Sequence, residues 1–117
     1  MLATVALVSL LVVTAAFSAT RWRVALRADS RGLPWATAHA IVKHPNALAV
    51  RFVGGEMRSG LVVGDCVRGS RRVNWGNLNF GGPGFYRLGI PRHAARCEVV
   101  ATVRGKGPMG VVILRRG

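Results

Sequence analysis

The sequence predicts an all-β fold, a small β-sandwich of about seven short strands preceded by an N-terminal hydrophobic helix. Three observations predict it. After residue 35 apolar side chains recur at every second position in short runs, the period of a strand with one buried face. Clusters of Gly, Pro and Asn separate those runs at intervals of about 8–12 residues, the spacing of a β-sandwich. Residues 1–20 carry no charged side chain, whereas all 17 Lys+Arg and all 4 Asp+Glu follow them.

The first element is the apolar one. Residues 2–19 (LATVALVSLLVVTAAFSA) are long and apolar enough to cross a bilayer as a helix. They also have the character of a signal-peptide core, with a weak cleavage site at Ala16 and Ser18 and no basic side chain before it. Both assignments, transmembrane anchor and signal peptide, stand for residues 1–20. Arg21, Arg23, Arg27 and Arg31 come next, with Gly32 and Pro34 as breakers, so residues 21–35 read as a basic linker. Trp22 between Arg21 and Arg23 has the composition of a membrane-interface anchor.

Residues 36–117 form the expected sandwich domain. A strand over 38–43 (AHAIVK) runs into the turn His44-Pro45-Asn46. Leu48, Val50 and Phe52 then alternate with Ala49, Arg51 and Val53 until Gly54-Gly55 ends the strand. The next strand covers 61–67, with Val62, Gly64 and Cys66 inward and Asp65 outward. Residues 73–80 supply Trp75, Leu78 and Phe80, and Gly81-Gly82-Pro83-Gly84 makes a turn. On 85–90, Tyr86, Leu88 and Ile90 share one face, with Phe85 and Arg87 on the other. Cys97, Val99, Ala101 and Val103 alternate with Glu98, Val100, Thr102 and Arg104, residues 105–110 form a loop, and 111–114 return as the last strand.

Cys66 and Cys97 are 31 residues apart, with Trp75 between them. A disulfide joining two sheets across the core, packed by a tryptophan, is the arrangement of immunoglobulin-like domains. The short cysteine spacing, and Ala95-Arg96 where a corner tyrosine belongs, point to a reduced version of that sandwich. Zinc is the competing use of these thiols. His93 lies four residues before Cys97, but Cys66 has no nearby partner, so no metal site is expected. Residues 38 to 116 resemble small exported, functionally uncharacterised immunoglobulin-like β-sandwich proteins of high-GC bacteria. The resemblance is carried by HAIVKHPNALAVRF, GDCVRG, GPGFYRLGIP and ARCEVVATVRGKG leading into VVILRR. It implies export and a disulfide, and implies no activity.

Charge bounds the function. The net charge is +13, and fifteen of the basic residues are Arg, Lys43 and Lys106 being the two lysines. Arg forks onto phosphate and carboxylate, so the expected partners are anionic lipid, wall polymer or an acidic protein, with nucleic acid less favoured. Arg68, Arg71 and Arg72, the densest basic run of the body, are the candidate polyanion contacts. Disulfide chemistry places the domain outside the cytoplasm, at the cell envelope, anchored or secreted. The basic cluster after residue 20 opposes this by the positive-inside rule. The alternative is therefore a small integral-membrane subunit whose cytoplasmic basic domain contacts nucleic acid or a larger complex.

Catalysis is not expected. Asp29, Glu56, Asp65 and Glu98 offer no pair placed for acid and base roles, and no nucleophile motif occurs. Residues 105–110 (GKGPMG) match G-x-G-x-x-G, but the strand expected after them removes the helix N-terminus that a dinucleotide needs. No cofactor is expected.

Overall fold

The computed structural model describes residues 21–117 as seven antiparallel strands in one sheet. They are β1 (Arg23–Asp29), β2 (Trp35–Lys43), β3 (Ala47–Arg68), β4 (Arg71–Asn74), β5 (Leu78–Phe80), β6 (Gly84–Leu88) and β7 (Arg96–Arg116). The sheet is organised around β3 and β7, which pair with each other from Ala47↔Arg116 to Val67↔Arg96. On the far side of β7, β1 pairs with its C-terminal half and β2 with its N-terminal half. On the far side of β3, β6, β5 and β4 pair with successive stretches of that strand.

The alternating pattern read from the sequence sets which face is buried. Leu48, Val50 and Phe52 on β3 and Val111 and Ile113 on β7 are all at most 1% exposed. In the other half of the same strands, Val62, Cys66, Cys97, Val99, Ala101 and Val103 are fully buried. Both sets belong to a single hydrophobic cluster. Two sets on one face of one sheet meet only if the sheet folds over between them. Phe52 shows where: its ring lies 5.8 Å from that of Phe80, whose strand position is opposite Gly60. A side chain at Gly60 would strike the Phe52 ring at 2.7 Å. Eight residues along an extended strand span roughly 26 Å, so β3 turns sharply between Phe52 and Gly60.

The fold line runs through two glycine-rich segments. In β3 the register shifts between Gly54 and Glu56 and again between Met57 and Ser59, the signature of bulges, which bend a strand. Opposite them, Gly105 lies so close to β3 that a Cβ there would sit 2.2 Å from the Glu56 carbonyl. The breaks expected at Gly54-Gly55 and over 105–110 are therefore bends inside continuous strands. Each segment alone has turn composition; facing each other in register, they crease the sheet without leaving it. Conversely, the expected single strand over 73–80 is divided into β4 and β5.

The basic linker expected over 21–35 is also corrected. Residues 23–29 are β1, paired from Arg23↔Arg115 to Asp29↔Gly110, and Trp35 already begins β2. The residues between them are held on the crease, Ser30 N donating to the Met109 carbonyl at 2.9 Å and Gly105 N to that of Pro34 at 3.1 Å. Residues 1–20, with the anchor or signal-peptide assignment, lie outside the described residues.

Candidate functional site

Cys66 and Cys97 form a disulfide, and both residues are fully buried. They are direct partners in the β3–β7 ladder, with Cα atoms 4.0 Å apart. The bond therefore ties neighbouring strands of one sheet, not two sheets across a core as the sequence led us to expect. Trp75 packs against the same core. Its ring rides over Gly64, its backbone N–H donates to the Gly64 carbonyl at 3.1 Å, and its indole N–H donates to that of Gly89 at 2.6 Å. Both sulfurs are committed to each other and so are no metal ligands. Among the described residues no group of three or more His, Cys, Asp or Glu side chains is placed to hold a metal ion.

The three candidate polyanion contacts are separated by strand alternation. Arg68 and Arg71 face each other across the tip of the β3–β4 hairpin. Arg72, opposite Val67, points to the other face and pairs with Asp65 (Nε to Oδ2, 3.3 Å). The run that is densest in sequence is thus not one patch in space. On the same outer face Glu98 meets His39 at 3.6 Å. An open groove of about 500 Å³ lies at the crease, lined by Asp29, Ser30, Val53, Gly54 and Met109 among others. Ser30, buried, accepts a hydrogen bond from Met109 N there, so its hydroxyl is occupied structurally.

A different cluster forms on the outer face of the other half. Ala49, Val112 and Leu114 are buried although they point away from the main core, because Trp22 packs over them. The Trp22 ring meets Phe85 edge-on at 5.2 Å. Arg116 and Arg87 place their guanidinium carbons 4.8 and 5.7 Å from the centre of the Trp22 ring, and Arg51 lies 5.6 Å from that of Phe85. Each such contact contributes about 0.5–1 kcal/mol at an exposed site, enough to orient a guanidinium but not to hold a fold. Of the three residues expected at a membrane interface, Trp22 thus lies on the sheet, Arg23 is in β1 with its guanidinium donating to the Gly117 carbonyl, and Arg21 is exposed. Near Arg23, Arg115 bonds the Lys43 carbonyl at 2.8 Å, and burial together with the Arg23 charge lowers its pKa from the ordinary arginine value.

The sequence puts Phe85 with Arg87 on one face of its strand and Ala49 with Arg51 on one face of another, but does not bring the two together. The missing datum was register: Arg51 is opposite Phe85 and Ala49 is opposite Arg87 only when β6 is aligned on β3. Comparison with known families, curated proteins and solved structures finds no match for this chain.

Proposed function

We propose that this chain is a non-enzymatic binding module of the cell envelope, membrane-anchored or secreted, whose folded sheet acts as a small immunoglobulin-like sandwich and whose basic surface engages a polyanion. The observation that carries the compartment is the Cys66–Cys97 bond, since such bonds persist where no thiol pool reduces them. Charge supports the ligand class: of the four acidic residues, Asp65 and Glu98 already face Arg72 and His39, leaving most of the arginine surface to attract anions.

The test is the state of the thiols in the native host. Cells are quenched in acid, free thiols are alkylated, and the protein is mass-analysed without reduction. The expected result is an unalkylated, oxidised pair, together with a reporter fused after Gly117 that is active only outside the cytoplasm. Two alkylated thiols and a reporter active inside would transfer the protein to the cytoplasmic reading.

A further inference from the structure

Basic and acidic residues are divided unevenly between the two outer faces. In the half that holds the disulfide, Asp65 and Glu98 are direct partners across the sheet and temper Arg72 and Arg96 around them. In the other half, three rows cross the outer face. Arg116 stands opposite Ala47; Val24, Leu114, Ala49 and Arg87 form the second row; Arg27, Val112, Arg51 and Phe85 form the third. These rows carry four arginines and no acid, the next acidic side chain being Asp29, one row on towards the crease.

The same face is not purely polar. Phe85 is 39% and Val24 57% exposed, and Trp22 lies among the guanidinium groups. Arg116 holds its guanidinium over Trp22, 4.8 Å from the ring centre, with its Nε buried against the protein. An aromatic and aliphatic centre within a guanidinium rim has both components of interfacial binding, apolar area for the acyl boundary and charge for anionic head groups. A soluble polyanion needs only the second. Chain continuity points the same way: Trp22 is three residues, at most about 11 Å, beyond Ala19, where the bilayer-length apolar stretch ends.

We propose that this face docks flat on an anionic lipid bilayer, with lipid phosphates on Arg27, Arg51, Arg87 and Arg116 and with Trp22 and Phe85 at head-group depth. The proposal rests on the polyanion-binding reading above and narrows it to one surface and one ligand.

The test uses the full chain and co-sedimentation with two kinds of vesicle, pure phosphatidylcholine and the same lipid with about one third phosphatidylglycerol. The ratio of the two partition coefficients isolates head-group charge from insertion of the apolar stretch. Replacing both Arg51→Gln and Arg87→Gln should lower that ratio by about 25-fold, roughly fivefold per arginine. Arg68→Gln with Arg71→Gln, at the hairpin tip, should lower it far less. Arg51→Lys with Arg87→Lys should keep most of it, and far-ultraviolet circular dichroism checks that each variant is folded. Equal losses at the two sites, or a loss at the hairpin alone, would overturn the assignment of the face. A wild-type ratio near one would overturn lipid as the ligand. Loss of polyphosphate or single-stranded DNA binding in the Gln pair with an unchanged lipid ratio would also overturn it, while leaving the polyanion reading in place.

Discussion

Gly64 shows how much of this fold depends on one missing methylene. Its φ is +142°, a backbone conformation that side-chain-bearing residues rarely adopt. A Cβ there would fall 1.9 Å from the Glu98 carbonyl oxygen and 3.1 Å from the Trp75 ring. Neither neighbour yields easily, because Glu98 lies in the β7 ladder and Trp75 is fixed at both its backbone and its indole N–H. Gly64→Ala should therefore cost about 3 kcal/mol or more, combining backbone strain with overpacking. Gly89→Ala, where a Cβ would meet nothing within 4 Å, should stay within about 0.5 kcal/mol of the parent. Urea unfolding of the two variants checks the contrast, and equal costs would refute it. The sequence places Gly64 on the Cys66 face but gives no sign of this demand, since the clash is with residues far along the chain.

Among the elements, the β3–β7 pair dominates, and its covalent link has a definite expected effect. Cys66 and Cys97 are ladder partners, so native pairing already brings them together and the bond acts mainly on the unfolded chain. Closing a loop between residues 31 apart contributes about 3–4 kcal/mol on the chain-entropy account. Against a typical domain stability of about 5–15 kcal/mol that is a large share. Reduction by dithiothreitol should lower the urea-derived stability by that amount while strand content persists in circular dichroism. A loss below about 1 kcal/mol would mean that the ladder alone suffices. Local alternation made the faces legible: Val62 and Cys66 are buried as read, and Cys97, Val99, Ala101 and Val103, read as sharing one face, are the buried face of β7. Two things were not legible. One was continuity through Gly54-Gly55 and 105–110, because glycine composition does not distinguish a turn from a bulged bend when the partner strand lies some fifty residues away. The other was β1, whose pairing is supplied by the far end of the chain and whose arginines look like a solvated tether until that partner is present.

For the whole molecule, charge is the property with the longest reach. Seventeen Lys+Arg against 4 Asp+Glu leave a net +13, and the Arg72–Asp65 ion pair and the His39–Glu98 contact hold Arg72, His39 and Glu98 mostly in solvent, where such interactions contribute little. The dominant electrostatic effect is therefore self-repulsion of a compact cationic body, which salt relieves. Screening lengths fall from about 30 Å at 0.01 M to about 8 Å at 0.15 M, from beyond the spacing of the arginines around Trp22 to near it. Thermal stability should accordingly rise with sodium chloride over that range, by roughly 4–8 °C for each kcal/mol of repulsion removed. A multivalent anion should exceed chloride at equal ionic strength, because it binds the folded arginine face as well as screening it. The Arg51→Gln, Arg87→Gln pair should lose that additional increment and keep the chloride response. A melting temperature that falls with chloride would show instead that the surface ion pairs outweigh the repulsion.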